Sequence, residues 1–263
     1  MTATAPGDEA APLLAVRDVA VHYGGIKAVD GITLDMHPGK IYGIIGPNGS
    51  GKSTLLAALT RLVQLTRGEI TYAGRDLRRT RASSLAGLGI ARTFQTVRLM
   101  PGRTVRQNVQ LGADVRSEPL RRRLAGLRSA PRSASSSVAD AISRTGLAGL
   151  DDFRPDELSY GTQRRIEIAR AMATEPRLLL LDEPTAGMNG AERLEISQLM
   201  RRLSAEGLTQ LLVEHDVQMM IDTCDHVFAM AAGTVIAEGA PRDVVRDERV
   251  REAYLGTRWH EHA

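Results

Sequence analysis

Cysteine is nearly absent from this sequence, since Cys224 is the only one among 263 residues. A single thiol cannot form a disulfide within the chain, and it cannot build a cysteine-rich metal site. Apolar residues lie close to Cys224 in the sequence, which predicts a buried structural thiol. The chain must therefore gain its stability from an apolar core, for which its length and composition are ample.

Long hydrophobic runs are absent as well. No stretch approaches the roughly eighteen uninterrupted apolar residues that a membrane-spanning helix needs, and residues 1–12 lack the basic and then apolar order of a secretory signal. We therefore expect a soluble, cytoplasmic protein with a disordered tail at residues 1–12, a single domain over 13–256 and a second tail at 257–263. Any role at a membrane needs a partner that spans it.

The chain also lacks a strong net charge. A formal charge of +3 gives no reason to expect nucleic acid as a partner. Aromatic residues make up only 3% of the chain, and lysine occurs only at Lys27, Lys40 and Lys52, with arginine used everywhere else. The lysine at position 52 therefore differs from the background, and it lies in the most informative segment.

That segment is a glycine-rich loop between an apolar strand and a helix with leucines at helical spacing. It matches the full P-loop pattern. Glycine allows the backbone to turn its N–H groups onto an anion, and the helix N-terminus adds a positive end. In the usual assignment Lys52 reaches the β and γ phosphates and the Ser53 hydroxyl binds Mg²⁺. The predicted nucleotide cradle consists of Gly46, Pro47, Asn48, Gly49, Ser50, Gly51, Lys52, Ser53 and Thr54.

The residues before and after this loop predict a small antiparallel sheet. Short strand-like runs at 14–16, 19–23 and 32–36 are separated by turn signals at Gly24-Gly25 and Asp30-Gly31. Further short strands are predicted at 68–74 and 90–94, the last followed by Gln95. Tyr23 is either an ordinary strand aromatic or a residue that stacks on a nucleotide base.

Composition changes over 97–157, where few strand signals occur. We predict helices near 104–113 and 138–145, joined by a mobile arginine-rich connection over 116–132. These arginines either form a solvated face or contact phosphates of lipid or nucleic acid, and the lack of interleaved aromatics favours the solvated face.

The second half returns to alternating strands and helices. Leu178 to Leu181 form a continuous apolar run that predicts a central parallel strand covered on both faces. Asp182-Glu183 follow its carboxyl end, where an acidic residue beside a P-loop is the expected Mg²⁺ ligand. We further predict a capping pair of Asn189 and Glu192, a strand over 208–213, a hairpin around Gly233 and one final helix over 242–254. This order is typical of an open, mostly parallel α/β sheet.

Residues 158–171, which begin Leu-Ser-Tyr-Gly-Thr-Gln-Arg, resemble the signature motif of ATP-binding cassette (ABC) proteins. With the P-loop, Gln95, Asp182-Glu183 and His215 in the right order, the resemblance covers nearly the whole chain. It implies a P-loop NTPase fold with a mostly parallel core sheet, a small antiparallel β subdomain and a helical subdomain at about 97–157. It disfavours a P-loop kinase, which explains neither the signature nor His215.

The resemblance also implies roles for individual residues, with ATP and Mg²⁺ as the bound species. Family members form dimers in which two ATP molecules lie between the subunits, so the signature residues complete the partner's site. Glu183 is implied as general base or polariser of the attacking water and His215 as the switch at the γ-phosphate, with Lys52 as the third catalytic residue. Tyr23 matches the aromatic that stacks on adenine. The implied Mg²⁺ ligands are Ser53, Gln95 and Asp182, and the implied signature contacts are Ser159, Tyr160, Gly161 and Thr162.

Several local sequences resemble the ATP-binding subunits of branched-chain amino acid uptake systems. They are Arg92-Thr-Phe-Gln95, Val97-Arg-Leu99, Leu158-Ser-Tyr-Gly161, Ala186-Gly-Met-Asn189 and Ala253-Tyr-Leu-Gly256. This implies an importer motor at the cytoplasmic face of the plasma membrane. Its partners would be transmembrane permease subunits, a second and usually different ATPase, and indirectly an extracytoplasmic substrate-binding protein. Close relatives serve urea, short amides or lipopolysaccharide, and soluble cassette ATPases of DNA repair or ribosomes form a further alternative.

The sequence departs from the general family pattern at three positions. Tyr160 replaces a glycine of the signature, Thr162 replaces its glutamine, and Asn189 stands where most members carry aspartate. Because Glu183 and His215 are intact, we expect that hydrolysis is retained.

Overall fold

The computed structural model describes residues 11–124 and 134–255, with side chains described for 11–115 and 135–254. In chain order the strands of these residues are β1 (Leu14–Tyr23), β2 (Ile26–Met36), β3 (Ile41–Ile45), β4 (Arg67–Tyr72), β5 (Arg75–Asp76), β6 (Ile90–Arg92), β7 (Leu178–Asp182), β8 (Thr209–Val213), β9 (His226–Ala231) and β10 (Thr234–Gly239). The α-helices are α1 (Lys52–Leu59), α2 (Leu85–Leu88), α3 (Val105–Leu124), α4 (Ala134–Arg144), α5 (Tyr160–Met172), α6 (Gly190–Ala205), α7 (Val217–Thr223), α8 (Pro241–Arg246) and α9 (Glu248–Leu255).

The larger sheet has the order β10-β9-β3-β8-β7-β6 and is parallel except for β10. Every residue of β3, β7 and β8 is buried, as expected for apolar strands covered on both faces. The prediction of a central strand at 178–181 and of a hairpin around Gly233 is confirmed. Because β3 and β7 are parallel and separated only by β8, the P-loop and the acidic residues after β7 meet at the same edge.

The smaller sheet is antiparallel, in the order β2-β1-β4-β5. The prediction of separate strands at 14–16 and 19–23 is wrong, because β1 is continuous and bulges at Asp18, which has a φ of 46°. Asp30-Gly31 is likewise not a turn between strands but part of β2. The Asp18 N–H donates to Thr33 Oγ1 at 3.0 Å, and the Asp18 carboxylate accepts from Arg67, so the bulge keeps its polar groups paired.

Apolar cores lie on both faces of the larger sheet. One joins this sheet to α1 and the smaller sheet, and the other joins it to helices that include α3, α5 and α6. Cys224 lies in the second core and is buried, as predicted, and burial raises the pKa of its thiol. The face of α6 predicted to be apolar is buried there too, through Ile196, Leu199, Met200 and Leu203.

Three features of the predicted helices are wrong. Helix α3 continues to Leu124, beyond the predicted end at 113, and α4 begins at Ala134. The rest of the connection predicted over 116–132 lies outside the described residues, as do residues 1–10 of the first tail and all of the second. The final helix is divided into α8 and α9 at Asp247, whose ψ of 130° is not helical. The Asp247 carboxylate accepts from the Arg249 N–H at 2.9 Å and so caps the start of α9. Within the described ranges, no helix has the length and apolar content to span a membrane.

Candidate functional site

At two positions of the P-loop, the surrounding backbone leaves room only for glycine. Gly51, with a φ of 101°, precedes α1, and an added Cβ would lie 2.2 Å from the Ala28 carbonyl oxygen. A Cβ on Gly46 would lie 2.2 Å from the Met230 carbonyl oxygen. The loop is therefore packed tightly against β2 and β9 on one side, which leaves its other side for a ligand.

Lys52 lies between the P-loop and the acidic residues after β7. Its Nζ donates to the Gly46 carbonyl at 2.7 Å and to the Pro47 carbonyl at 2.9 Å. Burial lowers the pKa of Lys52, while the negative charges of Glu183 and Asp182 oppose this effect. Those carboxylates therefore help to keep the amine protonated, as binding of phosphate requires.

The other loop residues differ in their exposure. Asn48, Gly49 and Ser53 are exposed, whereas Pro47 and Thr54 are half-buried. The Ser50 hydroxyl is buried, and none of the hydrogen bonds among the described residues reaches it. A buried donor without a partner is costly, and a phosphate oxygen on this loop would supply an acceptor, so the residues present suit an anionic ligand.

Contacts from the second half of the chain brace the loop. The Gly233 N–H donates to the Ser50 carbonyl at 3.1 Å, and the Gly233 carbonyl accepts from the Asp30 N–H at 2.8 Å. Burial raises the pKa of the Tyr254 phenol on α9, and the nearby Gly46 backbone opposes this shift. The hairpin of β9 and β10 thus braces the P-loop through Gly233.

Glu183 and Gln95, predicted from separate motifs, are in direct contact. Gln95 Nε2 donates to Glu183 Oε2 at 2.7 Å. Glu183 has a φ of 46°, which is uncommon for a residue with a side chain, and its N–H donates to the Val213 carbonyl at 2.8 Å. The backbone after β7 is thus held by β8 in a conformation that directs Glu183 towards Gln95.

Oxygen donors at this edge of the sheet suit Mg²⁺. They are the Ser53 hydroxyl, the Gln95 amide and the Asp182 carboxylate, all hard ligands of the kind that Mg²⁺ prefers. No group of three or more His, Cys, Asp or Glu side chains within the described ranges could hold a metal alone. Of the three donors only Asp182 is a carboxylate, and Mg²⁺ beside a nucleotide is usually held by one or two carboxylates together with phosphate and water.

His215 and Tyr23 are exposed and reach the site less directly. The His215 side chain is 63% exposed, and its Nδ1 lies 3.7 Å from Glu214 Oε2. Tyr23 is 51% exposed at the end of β1. Their predicted contacts, to the γ-phosphate and to adenine, remain predictions.

The signature residues occupy the start of α5. Ser159 is the N-cap and its Oγ accepts from the Thr162 N–H at 3.3 Å. Tyr160 is 39% exposed, Thr162 is buried, and the Gly161 N–H donates to Glu192 Oε1 at 3.3 Å. No hydrogen bond between described residues joins this segment to the P-loop.

The capping pair predicted at Asn189 is confirmed. Asn189 Oδ1 accepts from the Glu192 N–H at 3.0 Å, and Glu192 Oε2 accepts from the Asn189 N–H at 3.1 Å. The asparagine that departs from the family pattern therefore serves as the N-cap of α6. Because Glu192 also holds Gly161, this cap connects α6 to the signature.

Arg164 is a residue that the sequence interpretation missed. It is fully buried on α5 and donates to the carbonyls of Phe94 and Gln95, each at 2.6 Å. It also pairs with buried Glu167 at 2.7 Å. Burial raises the pKa of Glu167, and the positive charge of Arg164 opposes this shift. A signal was present, since an Arg–Glu pair three residues apart lies beside the apolar positions of the same helix.

Arg92 is a second missed residue. Its Nη2 donates to Asp182 Oδ2 at 3.0 Å, and its Nη1 donates to Thr60 Oγ1 at 3.0 Å. In the sequence, Arg92 belongs only to a segment that resembles the branched-chain subunits. Nothing in that resemblance indicates a contact with Asp182, because the contact depends on the pairing of β6 with β7.

An apolar pocket of about 360 Å³ opens beside these residues. It lies between α2, α3 and α5, and Arg92 and Phe94 line it together with apolar residues such as Leu85, Ile90 and Leu111. Phe94 is 39% exposed and directly precedes Gln95. The pocket is therefore continuous with the segment that holds Glu183.

Residues 29–186 match the family described as ABC transporter, and residues 234–260 match the family described as branched-chain amino acid ATP-binding cassette transporter. A curated relative is the high-affinity branched-chain amino acid transport ATP-binding protein LivG of Salmonella typhimurium. It is 37% identical over 252 residues, which cover 93% of this chain and 98% of the relative.

Solved structures give the same result. A crystal structure of the ADP conformation of an ABC transporter's ATP-binding cassette is 30% identical, with a TM-score of 0.83, and the match covers 94% of this chain and 100% of that one. A dimeric bacterial ABC transporter cassette is 27% identical, with a TM-score of 0.72 and coverage of 87% and 99%. The P-loop, the signature and the acidic residues after β7 all lie within the matched regions, and this chain therefore belongs to the ABC transporter family as one of its ATP-binding cassette ATPases.

Proposed function

We propose that this chain is the ATP-hydrolysing motor subunit of an importer for branched-chain amino acids. The observation that carries the substrate class is the match of residues 234–260 to the branched-chain family, which the identity to LivG supports. As a cassette without a membrane-spanning helix in the described ranges, it would work on the cytoplasmic face of the plasma membrane, bound to permease subunits.

The site residues have complementary tasks in this proposal. The P-loop N–H groups and Lys52 bind the phosphates, and Ser53, Gln95 and Asp182 hold Mg²⁺, which neutralises charge on them. Glu183 accepts a proton from the attacking water, and His215 contacts the γ-phosphate. The hydrogen bond from Gln95 to Glu183 supports this assignment, because it orients the carboxylate that must receive the proton.

A second ATPase subunit completes the site in this proposal. Ser159, Tyr160, Gly161 and Thr162 bind the nucleotide of the partner, through the N-terminus of α5. The dimeric relative supports this arrangement. We expect the partner to be a different ATPase chain.

The apolar pocket is the proposed docking site for a permease segment. Its wall includes Phe94, whose carbonyl Arg164 holds together with that of Gln95. A segment seated in this pocket would therefore be coupled to Gln95 and through it to Glu183. This arrangement supports a motor, since a freely acting hydrolase needs no such connection.

The test is uptake of labelled leucine, isoleucine and valine in cells whose only copy of the gene carries Glu183→Gln. We expect branched-chain uptake to collapse, because loss of a general base typically lowers rates by about 10²–10⁴-fold. Uptake of urea and of an unrelated polar amino acid should be unchanged. Glu206→Gln, which alters a surface partner of Arg144, is the matched control. Branched-chain uptake that survives Glu183→Gln would refute the proposal.

A further inference from the structure

Arg92 connects three parts of the molecule that the proposed reaction uses. It is the last residue of β6 and pairs in register with Leu180 of β7. The next residue is fixed as well, because the Thr93 N–H donates to the Leu180 carbonyl at 2.9 Å. This pairing brings the guanidinium to Asp182, at the end of β7.

The contacts of the guanidinium are specific. Nη2 donates to Asp182 Oδ2 and Nη1 to Thr60 Oγ1, each at 3.0 Å, and the Thr60 hydroxyl donates in turn to the Leu56 carbonyl at 2.8 Å. The side chains of Arg92 and Asp182 are only 14% and 11% exposed. The rigid fork of arginine thus links the end of α1 to the carboxylate, in a setting where water screens the charges little.

Arg92 also lines the apolar pocket. Its guanidinium carbon lies 5.6 Å from the centre of the Phe94 ring, and both residues line the pocket. Arg92 is therefore placed between the pocket and the only carboxylate among the proposed Mg²⁺ ligands.

We propose that Arg92 is a positioning residue for Asp182, whose guanidinium holds carboxylate oxygen Oδ2 and competes with Mg²⁺ for it. The inference rests on the proposed function, because it takes Asp182 as a Mg²⁺ ligand. It assigns Arg92 the task of setting how strongly the site binds its metal, and it makes the pocket a place from which metal affinity can be changed.

The experiment measures metal affinity directly. Free Mn²⁺, a paramagnetic substitute for Mg²⁺, is followed by electron paramagnetic resonance as MnCl₂ is added to protein saturated with the non-hydrolysable analogue AMP-PNP. Because Arg92→Gln removes a positive charge that lies 3.0 Å from the carboxylate and repels a bound cation, it should lower the Mn²⁺ dissociation constant by about tenfold. Arg92→Lys, which keeps the positive charge, should stay near the native value.

The matched control is Arg98→Gln, since Arg98 also lies over the Phe94 ring, at 5.1 Å, without a described contact to Asp182. It should leave the constant unchanged. Thr60→Val removes the acceptor of Nη1 while keeping every charge, and should lower the constant by a smaller factor than Arg92→Gln. If thermal melting shows that Arg92→Gln does not fold, the Mn²⁺ dissociation constant of Thr60→Val is the test of the inference.

An Mn²⁺ constant for folded Arg92→Gln that equals or exceeds the native value would overturn the inference, as would an equal effect of Arg98→Gln. Failure of the proposed function gives a different result. If the site assignment in the proposed function fails, native protein saturated with AMP-PNP binds no Mn²⁺, whereas an error about Arg92 alone leaves Mn²⁺ binding by the native protein intact.

Discussion

At Gly51, both the packing of the P-loop and the binding of nucleotide restrict which residue the position can hold. Its Cβ would overlap the Ala28 backbone at 2.2 Å, and its φ of 101° is unfavourable for any L-residue. Since backbone atoms of β2 cannot move aside cheaply, we expect Gly51→Ala to destabilise the fold by about 2–5 kcal/mol and to abolish nucleotide binding.

Gly25→Ala is the matched control for this prediction. Gly25 has no atom within 4 Å of an added Cβ and no positive φ, so its effect on stability should stay within about 0.5 kcal/mol. Urea unfolding and binding of a fluorescent ATP analogue measure both variants. Similar losses of stability and nucleotide binding in Gly51→Ala and Gly25→Ala would show that the crowding at Ala28 is not the cause.

Individual site residues differed in how far the sequence could predict them. The P-loop, Asp182, Glu183 and Gln95 form local patterns, and the structure brings them to one edge of the sheet. Arg92 could not be predicted, because its importance comes from a strand pairing between distant segments. A charged side chain is normally exposed, so a sequence pattern gives little reason to place one in a core.

Helix α5 holds the signature and the Gln95 segment together through Arg164. Arg164→Met removes the nearest cation from buried Glu167 and the donors to two carbonyls, and leaves Arg170, at 3.7 Å, as the remaining ion-pair partner of Glu167. Removing one partner of a buried ion pair typically costs about 3–5 kcal/mol, and we expect a loss of this size in the free energy of unfolding. Adding Glu167→Leu should recover part of it, because the buried carboxylate that has lost its nearest cation is then gone.

The control for Arg164 is Arg144→Met on α4. Arg144 pairs with Glu206 and Asp140 at the surface, where such pairs contribute at most about 1 kcal/mol. Denaturant unfolding of the three variants tests the comparison. The interpretation fails if Arg164→Met costs no more than Arg144→Met.

Elements were predicted well where hydrophobic pattern alone defines them, as in β7 and the buried face of α6. They were predicted poorly where one polar contact sets a boundary. Asp18 keeps β1 continuous through a bulge, and Asp247 divides α8 from α9. Both aspartates resemble ordinary turn residues in sequence, and only their partners Thr33 and Arg249 show what they do.

The whole molecule should be stabilised by nucleotide, because the P-loop contacts both halves of the chain. At ADP and Mg²⁺ concentrations a hundredfold above the dissociation constant, binding adds about 2.7 kcal/mol. For a protein of this size that corresponds to a rise in Tm of roughly 5–10 °C. Differential scanning fluorimetry measures the shift.

Lys52→Ala should lose most of this shift, since it removes the amine that lies next to the loop carbonyls. Arg201→Ala, which breaks a surface pair with Asp225, should retain it. A full shift in Lys52→Ala would mean that nucleotide binds elsewhere on the molecule.

The position of β3 between β8 and β9 determines how early the sheet around the P-loop can form while the chain is being synthesised. The strand that leads into the P-loop has no sheet neighbour from the first half of the chain. Its hydrogen-bonding partners leave the ribosome roughly ten to forty seconds later, at about 5–20 residues per second. The strand that leads into the P-loop therefore gains its sheet neighbours only after β8 and β9 have been made, so a nascent chain that stops before β8 lacks the sheet that positions the nucleotide site.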